Sequence, residues 1–232
     1  MIDTIKLDDR EFRKAMAVYA AGSKRSTAEL LRQQAKLFLQ DTVNVTPPAG
    51  KGARGSAAKQ RGMKCVEKDI LKLMHPYDPP AQANMLRAAG MFVEEASQKS
   101  PADIHKANRS KKDGRVKRRI FPRIKIRSAD LKHYIAEKQK MVGVLASGWN
   151  AAGDRLGWRL PGWIARHGAG SGQCRVEVGG PDMKIVITNS VSFVNRADDL
   201  ERRVAFALYK RTRAILRQLE HFQQQAARRA GL

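Results

Sequence analysis

DLKHYIAEKQKMVGVLASGWNAAGDRLGWRLPGWIARHGAGSGQCRVEVGGPDMKIVITNSVSFV, residues 130–194, is the stretch whose reading decides the fold. Leu131, Tyr134, Ile135, Lys138, Met141, Val142, Leu145, Trp149 and Ala152 recur at three- and four-residue steps, which predicts a helix. A Gly/Trp-rich connector follows from Gly153 to Gly168. Cys174, Val176 and Val178 then alternate with Arg175 and Glu177, Gly179 to Asp182 reads as a turn, and Lys184 to Thr188 returns. This pattern predicts a β-hairpin. Trp149, Trp158 and Trp163 all lie in the stretch, and each can bury a large area. The stretch is the expected core of the chain's most strongly specified domain, and it holds no recognisable catalytic constellation.

Upstream, Asp8 with Glu11 and Ser26 with Glu29 read as helix starts, the second as a capping box. Phe12, Met16 and Tyr19 form one apolar stripe, and Leu31, Ala35, Phe38 and Leu39 another. Thr46-Pro47-Pro48 ends the helix. The sequence AGKGARGSAAKQRG, residues 49–62, has no apolar period and reads as a mobile basic loop without the spacing of a phosphate-binding loop. Ile70, Leu71 and Met74 form a short apolar piece. A proline-started helix is expected after Pro80, with Met85, Leu86, Ala89 and Phe92 on one side. Residues 99–127 carry twelve Lys/Arg against Asp103 and Asp113, a net charge of 12 − 2 = +10. The first half of that window reads as loop, and Ile120, Ile124 and Ile126 as an edge strand interrupted at Pro122. Residues 49–62 and 106–118 are expected to be the first sites of proteolysis. Downstream, Asn195 is placed to cap a long last helix, with Asp198, Asp199 and Glu201 in its first turn and Leu200, Val204, Leu208, Ile215, Leu219, Phe222 and Ala226 on its apolar stripe.

The 232 residues suffice for one or two domains with a sizeable core. With 45 basic and 22 acidic side chains the formal charge is +23, which favours an anionic partner: nucleic acid, an acidic protein or an anionic surface. No apolar run approaches the length of a membrane span, and the charged first ten residues do not read as a signal peptide. The expectation is a soluble protein made in the cytoplasm. Cys65 and Cys174 show no metal or disulfide spacing.

Catalytic signals are weak. The five histidines show no H-x-x-x-H or H-E-x-x-H spacing, and Ser147-Gly148-Trp149 makes no G-x-S-x-G elbow. His167 beside Gly168 suits a turn better than catalysis, and Cys174 on an alternating strand suits a buried, inert thiol. No catalytic, cofactor-binding or metal-ligating residue is assigned, no cofactor is expected, and the chain is read as not an enzyme.

A family resemblance rests on the order of elements: a long N-terminal helix ending at Thr46-Pro47-Pro48, a helix closing in Ala146-Ser147-Gly148-Trp149-Asn150, a hairpin whose second strand runs IVITNSVSFV (Ile185 to Val194), and a C-terminal helix. The chain resembles the tail-completion and neck proteins of long-tailed bacteriophages, also described as head–tail joining or minor tail proteins. Ile187, Asn189, Phe193 and Val194 match that family's strand motif. The resemblance covers roughly residues 10–50 and 130–225. It departs from the pattern after the first helix, where the usual Thr-Gly-x-Leu segment is unclear, and at 49–127, which reads as an enlarged insertion.

The expected fold is α+β, with long N- and C-terminal helices packed on a small, mostly antiparallel sheet and a basic, loop-rich insertion. The expected division is 1–48 as the N-terminal helical segment of a core domain, 49–128 as the insertion, and 129–232 as the rest of the core. The resemblance implies a structural virion protein of the neck or tail, assembled in the host cytoplasm. It would form a homo-oligomeric ring that contacts connector, adaptor and tail proteins, with possible non-specific contact with DNA and no membrane. Arg202, Arg203, Arg211, Arg213, Lys117, Arg118 and Arg119 are the expected partner-docking residues. The alternative is a basic nucleic-acid-binding or packaging accessory protein.

Overall fold

The computed structural model describes residues 9–22, 26–50, 52–110, 114–168, 171–178, 183–192, 194 and 199–229. The architecture is mixed α+β, with ten helices and four strands among those residues. The chain divides into two compact units, Met1–Ala58 with Gly143–Leu232, and Lys59–Val142.

The first unit contains α1 (Arg10–Gly22), α2 (Thr27–Val45), α7 (Val144–Ser147), α8 (Asn150–Arg155), α9 (Gly162–Ala165), β3 (Gly172–Glu177), β4 (Lys184–Asn189) and α10 (Leu200–Arg229). The capping box read from the sequence is present: Ser26 Oγ accepts from Glu29 N–H, and the Glu29 carboxylate accepts from Ser26 N–H. Helices α1, α2 and α10 pack together around Met16, Tyr19, Leu30, Ile215 and Leu219, and Tyr19 stacks on Phe222 with ring centroids 5.9 Å apart. A second cluster joins Leu39 and Val43 of α2 to Leu145, Trp149, Leu160, Ile164, Leu200 and Val204. Each fully buried aliphatic side chain of this kind contributes about 1.5–3 kcal/mol. The hairpin forms as read, antiparallel with Cys174 opposite Ile187 and Val176 opposite Ile185. Its turn at 179–182 lies outside the described residues, as do the proposed cap Asn195, Asp198 and the motif residue Phe193.

The second unit holds most of α3 (Gly55–Ile70), then β1 (Met74–Tyr77), α4 (Ala83–Ala88), α5 (Pro101–Asn108), β2 (Ile124–Arg127) and α6 (Ser128–Lys140). Its core is Ile70, Leu73, Met74, Ile104, Val116, Ile126 and Leu131. Strands β1 and β2 pair in parallel, Met74 opposite Ile124, and form a sheet separate from the hairpin.

Several expectations are corrected here. Helix α3 occupies much of the expected 49–62 loop, because Ala, Lys, Gln and Arg are strong helix formers and Ala58, Gly62, Val66 and Ile70 fall at four-residue steps. The helix expected over 131–152 is interrupted by a turn at 141–143. Its single apolar stripe serves two cores: Leu131, Tyr134 and Ile135 pack in the second unit, Leu145, Trp149 and Ala152 in the first. The boundary therefore falls between Val142 and Gly143 rather than at 128. Helix α4 stops at Ala88 before Gly90, so Ala89 and Phe92 lie beyond it rather than on its side with Met85 and Leu86, and Met85 and Phe92 are exposed. Within 106–118, Val116 is 1% exposed and anchors the segment that was read as free loop; 111–113 lie outside the described residues.

Candidate interaction surfaces

The segments that carry the family resemblance meet in one joint of the first unit. Thr46, at the end of α2, donates its hydroxyl to Thr42 O at 2.8 Å and accepts from Trp149 Nε1 at 3.1 Å. Asn189, the last residue of β4, donates from Nδ2 to Leu145 O at 2.9 Å and accepts Val191 N–H on Oδ1 at 3.1 Å. Asn150 Nδ2 donates to Gly168 O at 2.6 Å. Two glycines let these backbones touch. A Cβ on Gly148 would lie 2.0 Å from Asn189 Oδ1, and one on Gly172 would lie 1.9 Å from Gly148 O. Only glycine permits that approach. The joint is structural: Asn189 ties the hairpin to α7, Thr46 ties α2 to Trp149, and Asn150 ties α8 to the connector at Gly168.

The long helix α10 presents a different surface. Leu200, Val204, Ala207, Ile215 and Leu219 face the core. On the opposite side, Arg202, Phe206, Tyr209 and Arg213 follow at steps of four, three and four, which places them on one outward stripe. Phe206 is 58% and Tyr209 60% exposed, and no described carboxylate pairs with either arginine. Two exposed aromatic rings between two free guanidinium groups combine the residue types most enriched at the centres of protein interfaces.

The expected docking arginines of α10 thus separate into two groups. Arg202 and Arg213 point outward. Arg203 and Arg211 do not: Arg203 donates from Nη1 to Val45 O at 3.2 Å, and Arg211 Nε lies 2.6 Å from Asp41 Oδ2 with only 15% of its side chain exposed. Lys210 completes the pair from the other side, 2.6 Å from Asp41 Oδ1. Asp41 is the residue that sequence reading missed. Its signal was an acid among the buried positions of α2 in a chain with few acids.

In the second unit, Lys117, Arg118 and Arg119 are all exposed. Lys117 and Arg118 line a cavity of about 300 Å³ together with Arg109, Ser110, Leu73 and Ile120, and Arg119 stands outside it. A larger cavity of about 600 Å³ has a mixed lining that includes Ser97, Ser100, Arg127, Asp130, Tyr134 and Glu137. Beneath these lies a polar network. His105 Nδ1 is 2.8 Å from Tyr134 Oη and its Nε2 is 3.9 Å from Asp69 Oδ2; Asp69 accepts Val116 N–H at 3.1 Å and pairs with Lys72 at 2.9 Å. Burial pushes the His105 imidazole below its ordinary value, outweighing the raising effect of Asp69, and burial pushes the Tyr134 hydroxyl up.

The His105 shift has a consequence for stability. A ring held neutral in the folded unit and protonated near 6.5 when unfolded binds more protons in the unfolded state. Its contribution is complete above that pH and is lost as pH falls through the lower folded value. The melting temperature of the second unit's transition should therefore fall between pH 7 and 5, and His105→Gln should flatten that slope. An acid limb that is unchanged in the variant would refute the assignment.

Among the described residues no group of three His, Cys, Asp or Glu is placed to hold a metal, and no helix is long and apolar enough to cross a membrane. Burial pushes the Cys174 thiol up, away from the thiolate a nucleophile needs. Comparison with protein-family models, curated proteins and solved structures finds no match.

Proposed function

We propose that this chain is a structural subunit of a phage neck or tail, acting by assembly rather than by catalysis. The observation that carries the reading is the outward stripe Arg202, Phe206, Tyr209 and Arg213 on a thirty-residue helix whose other side, from Leu200 to Leu219, is turned to the core. Such a stripe asks for a partner with an apolar centre and acidic surroundings. A second copy docking through the same face would set arginine against arginine, so the stripe suits a different neighbour. Copies of the chain have another route to each other. The β3–β4 ribbon is two-stranded, and each strand has an outer edge with no strand on it among the described residues. Two unlike surfaces on one subunit are what a closed ring with a bound neighbour requires. The virion assignment is further supported by the joint: Thr46, Gly148, Trp149 and Asn189, which carry the family resemblance in three separate segments, serve one structural purpose.

The test is deletion of the gene in a phage that encodes it, followed by complementation. Deletion should leave filled heads and free tails unjoined. The double variant Arg202→Glu/Arg213→Glu should fail to restore joining while melting like the parent, with each reversal weakening partner affinity about tenfold or more. Arg203 and Arg211 are unsuitable for this purpose because they hold the fold. Normal head–tail joining in the deletion would overturn the assignment.

A further inference from the structure

The 300 Å³ cavity of the second unit brings three exposed cations to one concave surface. Elsewhere in the unit, Lys72 pairs with Asp69 at 2.9 Å, Arg87 with Glu95 at 3.4 Å, Lys125 with Glu94 and Lys140 with Glu137. Arg109, Lys117 and Arg118 pair with no described carboxylate, and no acid is among the described residues that line the cavity they share. The three side chains are exposed on one concave surface, and a cleft lined by one sign of charge attracts anions.

The segment bearing Lys117 and Arg118 is also fixed in advance. Val116 is buried, its N–H donates to Asp69 Oδ2 at 3.1 Å, and its carbonyl accepts from Lys72 Nζ at 2.7 Å. Ile120 N–H donates to Lys72 O at 3.2 Å. The 116–120 segment is therefore tied down at both ends, and its two cations project from a positioned backbone. Leu73 and Ile120 supply apolar lining, and Ser110 a small polar group.

We propose that this cavity binds the backbone phosphates of single-stranded nucleic acid, with Phe121 as a platform for an unpaired base. Three features favour a strand over a single small anion or an acidic protein. Exposed Lys106 and Arg119 extend the positive surface beyond what one phosphate would neutralise. The apolar lining suits a sugar. Phe121, one residue beyond the lining Ile120, is 87% exposed, and a bare ring beside a cation cluster is the pairing that reads stacked bases and backbone together. The inference stands on the second unit's geometry and does not rest on the virion reading.

The experiment measures binding of the full chain to a labelled single strand of about 15 nucleotides and to the matching duplex, across a salt series around 0.15 M. Arg109→Gln/Lys117→Gln/Arg118→Gln should weaken single-strand binding about tenfold or more and flatten the log–log salt slope by about 2, three contacts at about 0.7 each. Phe121→Ala should weaken it about fivefold or more. The control Lys64→Gln/Lys68→Gln/Lys132→Gln removes the same formal charge from outside the cavity and should change binding far less. Melting curves establish that each variant is folded. The proposal is overturned if the control triple loses as much as the cavity triple, if the duplex binds as tightly as the strand, or if poly-glutamate competes as well as the strand does, the last result pointing to an acidic protein.

Discussion

Replacing Trp149 by alanine will destabilise the first unit by about 3–5 kcal/mol. The indole is 6% exposed, packs among Leu39, Val43, Leu160 and Val204, and spends its one polar atom on buried Thr46. Truncation to alanine opens a cavity at the point where α2, α8 and the hairpin converge, and the close contacts at Gly148 and Gly172 leave the surrounding backbone little room to collapse into it. Trp149→Phe separates the two contributions. It keeps most of the apolar volume and loses the hydrogen bond, yet Thr46 still donates to Thr42 O, so the loss should be only about 1–2 kcal/mol. Urea unfolding followed by far-UV circular dichroism measures both, since the fluorescence of the variants is altered by the substitution itself. A loss below about 1 kcal/mol for the alanine variant would mean that the joint does not hold the hairpin.

The parts of this fold that were legible in the sequence are those that depend on local pattern. The capping box at Ser26 and Glu29, the alternation of Cys174 and Val176 against Ile185 and Ile187, and the stripe of Leu200, Val204 and Ile215 each follow from a period or a spacing. What escaped depends on distance along the chain. The apolar series from Leu131 to Ala152 has a good helical period, and nothing in that period tells that Leu131 and Trp149 pack into different cores. The Gly-containing segment at 55–62 looked like loop because glycine suggests flexibility, whereas Ala58 and Gly62 supply small faces on a helix. The docking residues divided for the same reason. Arg202 and Arg211 are indistinguishable as letters, and only the position of Asp41, 170 residues upstream of Arg211 in the numbering, makes one an interaction residue and the other a structural one. Phe121 was likewise overlooked beside Pro122, since a single aromatic in a basic window acquires meaning only once its exposure is known.

The Asp41 pair gives the second large effect. Asp41 and Arg211 expose 11% and 15% of their side chains, so Asp41→Ala strands a largely buried guanidinium without its counter-charge and should cost about 3 kcal/mol or more. Lys210, with 47% of its side chain exposed, contributes little of this, because solvent screens its half of the arrangement. Arg211→Met alone should cost less than Asp41→Ala, as Lys210 remains to answer the carboxylate. The double variant Asp41→Leu/Arg211→Met replaces both charges by apolar groups of similar size and should recover most of the loss, since the desolvation cost of the pair disappears with the pair. Urea midpoints of the parent, Asp41→Leu, Arg211→Met and the double variant complete the cycle. Losses that simply add, with the double variant the least stable, would show that the two residues act independently and that the 2.6 Å approach carries no coupling. The result also bears on function: if the coupling is strong, an assembly defect in an Arg211 variant reports a weakened α2–α10 contact, and only Arg202 and Arg213 test the outward stripe itself.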